Sequence, residues 1–186
     1  MNDRASDGGA TPPGQPPSAP FIVTAELPGD LHAWADGLRR AHFPPERNHL
    51  AAHVTLFHAL APSLFEELKR VLAGEAAAHS AVAARLSGVM DLGKGTALAI
   101  ESPGVLAIRA RIAEHFHGAL SAQDQHKPRL HITIQNKVTS QDARALQREV
   151  AATFEPRDFR FVALALHIYR GGPWEAAGRW AFRGRG

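Results

Sequence analysis

Two stretches of the chain, AAHVTLFHAL at 51–60 and RLHITIQNKV at 129–138, each place a histidine and a threonine two positions apart in a run of apolar and β-branched residues. That composition reads as a strand, and strand side chains alternate between two faces. His53 and Thr55 then share one face while Val54 and Leu56 take the other. His131, Thr133 and Gln135 share a face against Leu130, Ile132 and Ile134. A sheet made of such strands has a solid apolar side for helices to cover and a wet side left for chemistry.

The rest of the chain fits around these strands. Residues 1–20 are rich in Pro, Gly, Ser and Ala with almost no large apolar side chain; they cannot offset their own ordering entropy and are expected to form a disordered tail. A single domain is expected over 21–186. FIVTAEL (21–27) reads as a strand, and a helix capped by Asp30 runs to about His42, ended by Pro44 and Pro45. SLFE (63–66) spells a capping box of Ser63 with Glu66, opening a helix to about His79. AVAARLSGVMDLG and TALAIES form a hairpin joined at 93–95. Ser102 and Pro103 start a helix to about Leu120, and another helix spans about 141–153. FRFVALALHIYR and GRWAFRG then form a closing hairpin. The series strand, helix, His-Thr strand, helix, strand occurs twice, with His53 and His131 placed 78 positions apart. The expected fold is α+β and bilobal: two pseudo-symmetric lobes, each an antiparallel sheet with helices outside, around a central cleft.

Composition narrows the chemistry. There is no cysteine, so no disulfide, thiolate metal site or cysteine nucleophile. The net charge of +3, with eleven histidines in reserve, suits an anionic substrate without demanding one. About 0.4 His-x-Thr triplets are expected by chance in a chain with this many histidines and threonines, and two on matching strands stand well above that.

Phosphodiester transfer by in-line displacement needs a base on the attacking oxygen and an acid on the leaving oxygen. Two imidazoles supply both near neutral pH, and a hydroxyl beside each can donate to the non-bridging oxygens. His plus Thr, twice, is half an active site, twice. At this point the chain resembles a known family. HVTL and HITI are similar to the two signature tetrapeptides of the 2H phosphoesterase superfamily. AAHVTLFHAL, HITIQNKV and the later YRGGPWE resemble its bacterial 2′-5′ RNA ligase-like branch, over about residues 20–186. The resemblance implies metal-independent, cofactor-free action on 2′,3′-cyclic phosphates or 2′-5′ phosphodiesters, reversible to 2′-5′ ligation without ATP. His53 and His131 would be acid and base, and Thr55 and Thr133 would bind phosphate. An arginine that some members carry five residues after the second histidine is Asn136 here. Alternation puts the next residue, Lys137, on the face of His131, where it could supply the charge. Gln135, or Arg170 from the last hairpin, are the other candidates. Ala52 and Leu130 stand where prolines often precede the motif histidines.

Two aromatics join the candidate substrate-binding residues: Phe57, sharing the face of His53, either stacking on a base or packing at the rim, and Trp174, either a packing residue at its turn or a platform for a base. Gly88, Gly93 and Lys94 match a P-loop spacing, but Gly95 follows in place of Ser or Thr and a strand replaces the helix, so this is a hairpin turn. No H-E-x-x-H or similar spacing suggests a metal. The expectation is a cytoplasmic, monomeric enzyme with no membrane segment, acting on RNA ends or cyclic nucleotides. Two other readings stay open: an RNA-end binding module with little turnover, and a hydrolase of a small cyclic-phosphate metabolite.

Overall fold

The structure, a computed structural model, describes residues 18–185. The expectation of a disordered tail falls almost wholly on residues 1–17, outside the described residues.

The strands are β1 (Phe21–Glu26), β2 (Val54–Leu60), β3 (Val82–Asp91), β4 (Gly95–Glu101), β5 (His131–Asn136), β6 (Arg157–Phe161), β7 (Ala163–Ile168) and β8 (Glu175–Ala181). The helices are α1 (Gly29–His42), α2 (Phe65–Ala78), α3 (Pro103–His115) and α4 (Ser140–Thr153). Strand pairing is antiparallel throughout and builds two four-stranded sheets, ordered β2-β1-β7-β8 and β5-β4-β3-β6. The expected α+β, two-lobed architecture is what the chain adopts. Both His-Thr strands lie at the edge of their sheet.

The lobes are not successive halves of the chain, as the repeated series suggested. The second sheet is the contiguous stretch from β3 to β6, and the first joins β1 and β2 to β7 and β8. The expected long strand at 159–170 is two strands. β6 pairs with β3 in the second sheet, the chain crosses at Val162, and β7 pairs with β1 in the first. Val162 extends the β7 ladder of the first sheet by one residue, its N–H donating to Glu26 O at 3.0 Å on the β1 side and its carbonyl accepting from Phe182 N at 3.0 Å on the β8 side.

The apolar rows form the core. Val54, Leu56, Ile132 and Ile134 are fully buried and Leu130 nearly so. α2 lies on β7 and β8, α3 on β3, α4 on β3 and β4, and α1 runs against β5. Ser102 caps α3 as expected, its hydroxyl accepting from Val105 N and donating to Ala83 O at 2.8 Å. α3 ends at His115, short of Leu120, and a positive φ at Gly118 turns the chain soon after. The capping box at Ser63 does not form: Pro62 starts a 3-10 turn through Leu64, and α2 begins at Phe65 without a side-chain cap. α1 likewise starts behind Pro28 with no side-chain cap, and Asp30 lies in its first turn. The glycines of 88–96 belong to the β3–β4 hairpin, whose turn uses Gly93 at φ 77° with its N–H donating to Asp91 Oδ1.

Candidate active site

His53 stands one residue before β2 and His131 opens β5. Both rings are held the same way. Nδ1 of His53 is 2.8 Å from the carbonyl oxygen of Ala51, and Nδ1 of His131 is 2.7 Å from that of Arg129. A carbonyl oxygen only accepts, so Nδ1 carries the hydrogen in each ring. Nε2 is then the nitrogen without a hydrogen in the neutral ring, able to accept a proton when the ring is neutral and to donate one when it is charged. Each bond reaches back two residues along the same strand entry, so strand geometry alone orients the imidazole. Thr55 and Thr133 follow on the same faces, partly exposed, and β2 lies against β5 where the two lobes meet.

The surroundings of His53 are strongly biased. Burial pushes its pKa down to about 4, against the bond to Ala51, and the charges of Arg39, His167 and His131 add to the depression. Its imidazole is therefore neutral at physiological pH. Beside it lies a cavity of about 460 Å³, lined by Thr24, Glu26, His49, His167 and Trp174 among others. The indole of Trp174 touches His53, with ring centroids 4.5 Å apart, and His167 at 5.3 Å. Nε2 of His167 is 3.0 Å from Thr24 Oγ1, and Thr24 sits directly opposite Thr55 in the β1–β2 ladder. Burial lowers the pKa of His167, opposed by Glu26. The cavity lies on the His53 side of the cleft; neither His131 nor Thr133 lines it.

Four expected binding residues are placed otherwise. The β1–β2 register slips so that Leu56 is skipped between Thr55 and Phe57. This bulge turns Phe57 inward, where it is fully buried beneath the guanidinium of Arg109 at 4.7 Å. A matching slip between β4 and β5 skips Ile134 and turns Gln135 toward the helices. Its Oε1 lies 3.3 Å from Thr96 Oγ1, which is also 3.3 Å from the α4 carbonyl of Ala143. Lys137 lies beyond the end of β5 at φ 63°, so alternation no longer governs it. Arg170 is exposed on the β7–β8 hairpin, pairs with Glu175 at 2.9 Å and is not part of the cavity wall. Of the auxiliary candidates only Trp174 reaches the site.

Sequence reasoning missed Arg39, Thr24 and His167. Arg39 has a signal, since it continues the buried α1 stripe of Leu31 and Ala35 at intervals of four. Its charge stands close enough to His53 to add to the lowering of that ring's pKa. His167 shares its β7 face with Ala165, an alternation that could have flagged it.

Among the described residues no group of three or more His, Asp or Glu is arranged to hold a metal ion. A family model described as the 2′-5′ RNA ligase superfamily matches residues 27–173. The chain belongs to the 2′-5′ RNA ligase superfamily. This bears out the 2H phosphoesterase resemblance, and the match spans both motif strands. No curated protein sequence matches the chain. Solved structures of similar fold include TT0787 of Thermus thermophilus, at 15% identity over 90% of this chain and 100% of that one, with a TM-score of 0.60. A structure described only as a phosphoesterase gives 20% identity, 89% and 99% coverage and a TM-score of 0.60. E. coli LigT complexed with 3′-AMP gives 19% identity, 88% and 98% coverage and a TM-score of 0.54. At these identities the likeness is one of fold, and it agrees with the two-sheet, two-lobe layout of this 2′-5′ RNA ligase superfamily member.

Proposed function

We propose that the protein is a metal-independent phosphoesterase that opens 2′,3′-cyclic phosphates, at RNA ends or in nucleotides, to 2′-phosphates. The observation that carries the reading is the matched pair of histidines, one at the start of each motif strand, each with Nδ1 bonded to a backbone carbonyl and no hydrogen bond at Nε2 among the described residues, and each followed by a threonine on its own face. Membership of the 2′-5′ RNA ligase superfamily supports phosphodiester chemistry.

His53, neutral at working pH, takes a proton from water through Nε2. The water oxygen attacks phosphorus, the bond from phosphorus to the ribose 3′ oxygen breaks, and His131 gives a proton to that oxygen. The product is a 2′-phosphate, and the histidines have exchanged protonation states. The Thr55 and Thr133 hydroxyls donate to the non-bridging oxygens. Run backwards with a ribose hydroxyl in place of water, the same steps join 2′-5′ ends, and the histidines swap roles. Trp174, against His53, is the platform for a base on that side of the phosphate.

The test is turnover of a 2′,3′-cyclic nucleotide in EDTA, with the product assigned by phosphorus NMR. A 2′-phosphate is expected. A 3′-phosphate, or no turnover beside measurable binding of an RNA end, would contradict the reading; the second result would favour a binding module.

A further inference from the structure

We propose that Arg39 and Arg109 are positioning residues: each clamps the motif strand of the opposite lobe, and together they fix the spacing of His53 and His131 across the cleft. The inference rests on the two-histidine reading for its catalytic meaning, and on the geometry alone for the clamp.

The two arginines hold equivalent places in the connectivity, although α1 itself runs against β5 of the opposite sheet while α3 lies on β3 of its own. α1 connects β1 to β2 in the first lobe, and α3 connects β4 to β5 in the second. Each helix carries an arginine on its buried stripe, Arg39 at 3% exposure after Leu31 and Ala35, and Arg109 at 6% exposure among Val105, Ile108 and Ile112. Each guanidinium lies over a phenylalanine, Arg39 over Phe43 at 4.5 Å and Arg109 over Phe57 at 4.7 Å.

Their hydrogen bonds follow one plan. One arm holds the loop that leads into the motif strand of the arginine's own lobe. Arg39 Nε donates to Leu50 O at 3.1 Å and Nη2 to Asn48 Oδ1 at 2.9 Å, both shortly before His53. Arg109 Nη2 donates to the carbonyl of Asp124, shortly before His131. The other arm crosses to the opposite lobe. Arg39 Nη1 donates to Thr133 O on β5 at 2.6 Å, and Arg109 Nε reaches Leu56 O on β2 at 3.5 Å. Each receiving carbonyl belongs to an edge strand, and it is on or next to a residue of the His-Thr motif.

Edge-strand carbonyls facing away from their sheet have no ladder partner. A guanidinium offers five donors in a rigid fork and can tie two segments at once. Burying such a charge is costly unless its donors are met, and an apolar side chain would fill the same space without that cost. What an apolar contact lacks is direction: it lets two strands slide, whereas a fork bonded to both holds them in register. Sub-ångström registration is what a pair of groups acting on one phosphorus requires, since a misplacement of about 1 Å can cost roughly a hundredfold in rate.

The test uses Arg39→Lys and Arg109→Lys, which keep the charge but replace the fork by a single point donor. Leu72→Ala, a fully buried position on α2, serves as a control for simple destabilisation. Because the chain has no cysteine, spin labels can be placed cleanly through Arg70→Cys on α2 and Arg148→Cys on α4, one on each lobe, and their distance distribution read by pulsed electron resonance. The clamp predicts a broadened distribution in both lysine variants and an unchanged one in the control. It also predicts a fall of about ten- to a hundredfold in kcat, with KM moving by less than about threefold. The double lysine variant should lose little more than either single one, because both hold the same spacing. An unchanged distance distribution overturns the clamp whatever the activities show. An unmodified protein with no turnover overturns the phosphoesterase reading alone, and the distance measurement still decides the clamp.

Discussion

The indole of Trp174 packs on the imidazole of His53, with centroids 4.5 Å apart and planes inclined at 54°. It covers part of the His53 ring, whose burial is the main cause of its pKa near 4, and it packs against an imidazole that is already bonded to the Ala51 carbonyl. An aromatic pair of this kind contributes about 0.5–1.5 kcal/mol beyond burial. Trp174→Ala is therefore expected to lower kcat/KM by about two- to tenfold, and to move the His53 titration upward as solvent enters. The pH–rate profile of the variant, with the His53 resonance followed by NMR, checks both. An unmoved titration would mean that Trp174 does not shield the ring.

The depressed His53 also predicts the shape of the native pH profile. In the proposed mechanism His53 acts in its neutral form, so kcat/KM should fall as pH drops through about 4 and not through 6.5. Stability carries the same sign. Between pH 6.5 and 4 the unfolded chain takes up a proton at this position that the folded chain refuses, so His53 makes folding less favourable as pH falls across that window. Urea midpoints measured from neutral pH down through that window should decline, and His53→Phe should lessen the decline.

Asp124 predicts a purely structural effect. It is 1% exposed and accepts hydrogen bonds from the backbone N–H groups of His58 and Ala59, the His58 ring and the Ser121 hydroxyl. Burial alone would raise its pKa, and these bonds, led by the His58 ring, outweigh burial and hold it below the usual range. The carboxylate pins the loop before β5 to the edge of β2. Asp124→Ala leaves the His58 and Ala59 donors without their acceptor and should cost about 2–4 kcal/mol, read by urea unfolding. Its stabilising contribution should fade as pH falls below about 4, where the unfolded carboxylate becomes protonated.

Gln135 separates a cleft role from a packing role. It is buried with Thr96 beneath α4, so Gln135→Ala should lower stability by about 1–2 kcal/mol and leave kcat and KM within about twofold. A large loss of activity in a stably folded variant would return Gln135 to the cleft.

Much of this architecture is legible in the sequence because it follows from periodicity. The rows Val54–Leu56 and Leu130–Ile132–Ile134 announce buried strand faces, and Ser102–Pro103 announces a helix start. What escaped is set by partners and not by local pattern. The bulges at Leu56 and Ile134 depend on how β1 and β4 pair with the motif strands, and they reversed the faces assigned to Phe57 and Gln135. The break at Val162 comes from two sheets claiming the two ends of one apolar run. Arg39 and Arg109 were hidden because a charge in a helix reads as solvent-facing, although both sit on their apolar stripes. The Ser63 box lost to Pro62, whose fixed φ begins a 3-10 turn first.

In the proposed mechanism His53 and His131 act together on one phosphate. The most direct measurement is the hydrolysis rate of a 2′,3′-cyclic nucleotide by His53→Ala, His131→Ala and the double variant, in EDTA and with folding checked by melting temperature. Each single variant should lose about 10²–10⁴ in kcat/KM, and the double variant should fall little further, because either loss disables the pair. Near-native turnover in either single variant, at an unchanged melting temperature, would contradict the two-histidine account.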